Sequence, residues 1–135
     1  MRLMRLVLAL AAVLVAVVMP PVLAASPTPD QLLKASGMQT KFLTCGFYFR
    51  LTSQYVDNTE TKLSERLVWM SNTMNAGASL LITPLGQSNT GYKGRATLID
   101  EQMMDKIDNN CQNMSVLIIE LDKQCKTLLN DVLKD

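Results

Sequence analysis

Histidine is absent from all 135 residues. With it goes the usual general base near neutral pH, the middle member of a histidine-dependent triad and the imidazole ligand of zinc sites. A pH switch of the histidine type is excluded too, so carboxylates would have to carry one. Cysteine is scarce. Cys45, Cys111 and Cys125 are scattered, with no Cys-x-x-Cys pair and no metal-ligand spacing, which excludes a thioredoxin-like redox centre and a recognisable zinc site. No calcium-loop pattern, internal repeat or low-complexity tract occurs. An excess of one charge is also missing: 13 basic residues face 12 acidic ones. A protein that grips nucleic acid electrostatically needs a concentrated basic face, so that class is excluded. The length is that of one domain and excludes a multidomain enzyme.

Apolar residues, by contrast, make up 48% of the chain, and they are unevenly spread. Twenty of the first 24 residues are apolar, against about 41% of the other 111. Met1 to Arg5 is a short basic start, Leu6 to Met19 is a run of 14 apolar residues, and Pro20-Pro21 precede small residues at Ala24-Ala25. That three-part pattern reads as a secretory signal peptide over 1–24, cleaved after Ala24 or Ala25. As a helix the run would reach only about 21 Å, short of the roughly 30 Å hydrocarbon core, so no stable membrane anchor is expected after cleavage. No cysteine follows the cleavage region, which disfavours a lipoprotein, and Arg2 and Arg5 are not adjacent as in twin-arginine export. The expected location is the periplasm or the medium, where thiols oxidise. Residues 25–135 then form a single domain with 11 basic and 12 acidic residues.

That domain reads as all-α. Thr28-Pro29-Asp30-Gln31 has the N-cap, the first-position proline and the reciprocal glutamine of a helix start. Leu32, Ala35, Met38, Phe42, Cys45, Phe49 and Val56 follow at steps of three and four, apart from the interruption at Thr52. Leu43, Phe47, Tyr48 and Leu51 widen the stripe so far that this helix should be central, with Gly37 a weak point. Asp57 and Glu60 signal a second start, Leu63, Leu67, Met70 and Met74 a second stripe, and Gly77 its end. Ala78 to Ile82 reads as helix continuation or a buried turn. Residues 83–95, rich in turn-formers, read as a long loop, and loops of that length are often functional or mobile.

Beyond it, Met104, Ile107, Cys111, Met114, Ile118, Leu121, Cys125, Leu128 and Val132 alternate steps of three and four. One helix over about 97–134 fits, and so do two helices broken near Asp108-Asn109-Asn110; the unbroken register favours one. The expected architecture is a three- or four-helix bundle with a long C-terminal helix.

On such a helix Cys111 and Cys125 lie about 21 Å apart, beyond disulfide reach. A bridge therefore ties Cys45 to one of them. If the first helix runs antiparallel to the segment after Met114, matching position 57 with 114 sets Cys45 opposite residue 126. Cys125 is the favoured partner and Cys111 the alternative. The leftover thiol is either a buried small hydrophobe or a reactive or intermolecular one.

Asp100-Glu101 and Asp105-Asp108 read as a solvated helix face, Gly91-Tyr92-Lys93-Gly94 as a turn, and Asn113-Met114-Ser115 as a sequon that matters only in a eukaryotic secretory route. Trp69, beside the second stripe, and Tyr92, followed by Lys93 and Arg95 in the long loop, are with those two cations the candidate partner contacts. Alanine at Tyr92 and Arg95 should then weaken partner capture and leave stability nearly unchanged. The methionine stripes read first as core and second as an adaptable groove. No catalytic, cofactor or metal residue emerges. The expectation is a non-catalytic exported binding protein, such as an immunity or inhibitor protein or an accessory subunit, acting on another protein. The alternative is a self-associating structural or chaperone-like envelope protein that dimerises through the C-terminal helix; a small enzyme ranks last.

Overall fold

The computed structural model describes residues 26–56 and 60–134, which form four α-helices: α1 (Pro29–Val56), α2 (Thr61–Leu80), α3 (Asn89–Lys106) and α4 (Ser115–Lys134). A 3-10 segment, Cys111–Asn113, precedes α4, and no strand occurs among the described residues. The signal-peptide expectation over 1–24 and the cap at Asp57 lie outside the described residues.

The start of α1 follows from its sequence. Gln31 N donates to Thr28 Oγ1 at 3.2 Å and Thr28 N donates to Gln31 Oε1 at 2.9 Å, the reciprocal bonds of a capping box. The helix passes through Gly37 unbroken. It is the central element: Tyr48 and Phe49 are fully buried, and α2, α3 and α4 all pack on it.

Antiparallel packing of α1 and α2 rests on small and polar residues one heptad apart. Gln39 Nε2 donates to Ala78 O, Ser71 Oγ to Gly46 O and Ser64 Oγ to Ser53 O, at 3.2, 2.7 and 3.2 Å. Each pair of residue numbers has the same sum, which defines a single register. With Gly46 opposite Ser71 and Ser53 opposite Ser64, the two backbones come close together at those levels, as small-residue seams allow. A Cβ on Gly77 would stand 3.0 Å from the Phe42 ring, so Gly77 serves packing inside α2 and the helix runs on to Leu80. The buried face of α2 is therefore Ser64, Leu67, Met70, Ser71, Met74 and Ala78, with Leu63 turned to its edge.

Two stretches depart from expectation. The connection to α3 is residues 81–88, and α3 begins at Asn89, inside what reads as loop. Ser88 caps it by accepting a 3.0 Å hydrogen bond from Gly91 N. Gly91, Gly94, Asn89 and Thr90 are poor helix formers, and tertiary contacts of Tyr92, Arg95 and Ala96 override that propensity. The C-terminal third is two helices rather than one. Asp108 and Asn109 take left-handed φ values of 52° and 53°, a region that Asp and Asn enter more easily than other residues bearing a Cβ. Asn110 Oδ1 accepts from Gln112 N at 3.0 Å and Asn113 Nδ2 donates to Ile107 O at 3.0 Å, closing the turn. The heptad register survives the break because Ile107 and Met114, both fully buried, plug the bundle end on either side of it.

Below the turn α4 runs antiparallel to α1 and buries Leu117, Leu121, Cys125 and Leu129. Ile118, on the expected seam, lies at the edge of the helix, because burial shifts to Leu117 and Leu129. None of the helices among the described residues is long and apolar enough to cross a membrane.

Candidate functional site

Cys45 and Cys125 are joined, with Cα atoms 5.2 Å apart, and the bond closes a separation of 80 residues. The partner sits one position from the residue that helix spacing sets opposite Cys45. Cys111, the alternative partner, is a half-buried free thiol in the 3-10 segment. One turn further along α1, the Tyr48 hydroxyl donates to Asp122 Oδ1 at 2.8 Å, in the same antiparallel register as the disulfide. Lys126 Nζ donates to Asp122 Oδ2 at 2.7 Å. Burial pushes the Asp122 carboxyl up, but the hydrogen bonds from Lys126 and Tyr48 outweigh it and hold the group below the usual carboxylate range. Burial first, and then the bond and charge of Asp122, push the Tyr48 phenol well above its ordinary value.

Tyr48, Asp122 and Lys126 line a groove of about 590 Å³ between α2 and α4. Leu63, Leu67 and Met70 of α2 face Ile118 and Leu129 of α4 across Tyr48 and Thr52. Leu63 and Ile118 are 40% and 37% exposed. Arg66 stands on the rim with no side-chain partner among the described residues, while Lys126 and Asp122 form the pair already described. The groove is thus apolar within and net positive at its edge.

A second cleft opens on the other side of α1. Among the described residues no Cα of α2 comes within 8 Å of one in α3, so a space of about 380 Å³ remains between them. Its floor is Leu43, Gly46, Phe47 and Arg50 of α1, with Asn75 on one wall and Tyr92, Ala96, Thr97 and Asp100 on the other. The Arg50 guanidinium lies 4.5 Å over the Phe47 ring and 3.3 Å from Asp100 Oδ1.

The four candidate contact residues do not form one loop patch. Tyr92 is half-buried in the second cleft, and burial alone pushes its phenol up. Arg95 is not a free loop cation: it donates to Ser36 O, Ser36 Oγ and Gln39 Oε1 at 3.4, 2.8 and 2.9 Å. Fully buried Gln39 in turn donates to Gln87 Oε1 at 2.8 Å, so Arg95 belongs to a network joining α1, α3 and the 81–88 turn. Lys93 is exposed on α3, and Trp69, 50% exposed, stands on α2.

Sequence reasoning assigns no site role to Gln39, Arg50, Phe47 and Asn75. One usable signal exists: Gln39, Gly46 and Ser53 recur every seven residues on α1, and Ser64, Ser71 and Ala78 do so on α2. Small and polar residues repeated at that period on two neighbouring helices mark a close seam, and hence the helix pair whose far sides are left open. Comparison of the chain with protein-family models, with curated proteins and with solved structures finds no match.

Proposed function

We propose that the protein is a small exported binding protein that works by surface complementarity rather than catalysis, and that it receives an amphipathic helical segment of another protein in the α2–α4 groove. The observation that carries this reading is the composition of that groove. Leu63 and Ile118 stand open to solvent at its edges over a buried base of Leu67, Met70 and Leu129, and its walls are held by the Cys45–Cys125 bond and the Tyr48–Asp122–Lys126 chain. A preformed apolar trough between two parallel walls suits a helix laid lengthwise. Arg66, without a side-chain partner among the described residues, lines the same groove as Lys126 and favours a partner with acidic residues flanking its apolar stripe. Met70 on the wall adapts readily to the shape of an incoming side chain.

Export is supported by the leader pattern of residues 1–24 and by a disulfide, which persists in oxidising compartments. An immunity protein, an inhibitor and an accessory subunit all fit this mode of contact. A photo-crosslinking amino acid placed at Leu63 or Ile118 in cells that export the protein tests it. Adducts with a different protein at both positions, lost when Arg66→Glu is added and absent from exposed Glu101, are expected. Equal labelling at Glu101, or none at the groove, overturns the reading. An adduct with a second copy of the chain replaces it with self-association.

A further inference from the structure

The α2–α3 cleft has the makings of a small-molecule site separate from the α2–α4 groove. Arg50 and Asp100 bring opposite charges to its mouth and are both about half exposed. Their single contact, at 3.3 Å, is longer than the roughly 2.7–2.9 Å of a well-made charge-assisted bond. Four of the five N–H donors of Arg50 remain unused by any described residue. Around the pair, the side chains of Asn75, Thr97 and Tyr92 line the cleft and make no hydrogen bond within the described residues. Beneath it lie the apolar faces of Phe47, Leu43 and Ala96. A space of about 380 Å³ is within the range of small-ligand pockets, which combine an apolar lining with a few convergent polar groups.

We propose that this cleft binds a free α-amino acid with an apolar side chain, its carboxylate on Arg50, its ammonium on Asp100 and its side chain against Phe47 and Tyr92. The charge arrangement selects a zwitterion over an anion or an amine. A ligand of one sign competes with the half-exposed pair for one member and gains one charge contact, whereas a ligand carrying both signs gains a contact with each. The amide of Asn75 and the hydroxyls of Thr97 and Tyr92 are further partners for the same polar head. Gly46 keeps the floor low. A Cβ there would stand 2.4 Å from Asn75 Oδ1, so alanine at this position displaces the Asn75 amide from its place on the wall.

Titration calorimetry of the purified protein with L-phenylalanine, 3-phenylpropionate and phenethylamine tests the proposal. Saturable binding of phenylalanine is expected, with each single-charge analogue weaker by about tenfold or more. Arg50→Gln and Asp100→Asn should each weaken phenylalanine by a similar factor, and Tyr92→Phe by less, with thermal melts confirming that the variants fold. Binding of 3-phenylpropionate as tightly as phenylalanine overturns the zwitterion assignment. Absence of saturable binding, or binding indifferent to Arg50→Gln and Asp100→Asn, overturns the site. Crosslinking at Leu63 and Ile118 reads the α2–α4 groove and is unaffected by either result.

Discussion

Ser71 Oγ donates a 2.7 Å hydrogen bond to the carbonyl of Gly46, across the α1–α2 seam. Gly46 has no side chain to hold the helices apart, and Ser71, 4% exposed, is small enough to sit against the opposite backbone. The same relationship holds one heptad away in each direction, at Ser64–Ser53 and Gln39–Ala78. The pairing of α1 and α2 is thus set by what is missing from the interface as much as by what fills it.

Enlarging this seam should cost more than deleting its hydrogen bond. Ser71→Ala is expected to lower stability by about 1 kcal/mol, the ordinary net worth of one hydrogen bond. Ser71→Leu adds overpacking of about 1–3 kcal/mol by forcing the helices apart. Urea midpoints of the two variants measured side by side give the order, and equal midpoints would mean the seam is loose.

Arg95 and Lys93 should separate sharply, although they lie two residues apart. Arg95→Ala removes donors from Gln39 and Ser36 and should destabilise by about 1–3 kcal/mol, because fully buried Gln39 loses the partner of its Oε1. Lys93→Ala, on an exposed side chain, should change the thermal midpoint little. A stable Arg95→Ala protein would show that the polar network is not holding α3 in place.

Acid should loosen the α1–α4 contact through Asp122. Its folded-state affinity for a proton lies below the ordinary carboxylate value, so the unfolded chain binds the proton more readily. The stabilisation is therefore complete above about pH 4 and is lost as pH falls through the depressed folded value. For Tyr48 the shift is upward, so its contribution is complete below about pH 10 and declines as pH rises beyond that. Asp122→Asn should flatten the acid limb of a stability-versus-pH curve, and Tyr48→Phe the alkaline limb. Unchanged limbs in either variant refute the assignment.

Reduction should weaken the fold without changing its helix content in dilute buffer. The bond closes a separation of 80 residues, for which a stabilisation of about 2–4 kcal/mol is typical. Denaturant midpoints of the native protein and of a Cys111→Ser variant should fall equally on adding reductant. A smaller fall for Cys111→Ser would mean that Cys111 takes part in pairing.

Much of this organisation can be read locally. The capping box at Thr28 and Gln31, the broad apolar face that makes α1 central, and the preference for Cys125 over Cys111 as the partner of Cys45 all follow from helix spacing. Each depends on contacts within one helix or on one antiparallel match. The start of α3 was not legible, because Asn89, Thr90, Gly91 and Gly94 favour turns and only the docking of Tyr92 and Arg95 onto α1 overturns that preference. The break at Asp108 and Asn109 was legible only as the less favoured alternative, because a continuous heptad register conceals a reversal: the same apolar spacing serves a straight helix or a buried turn. The α2–α4 groove and the α2–α3 cleft belong wholly to the tertiary structure. They are spaces between helices distant in sequence, and no local pattern states how far apart two helices stand.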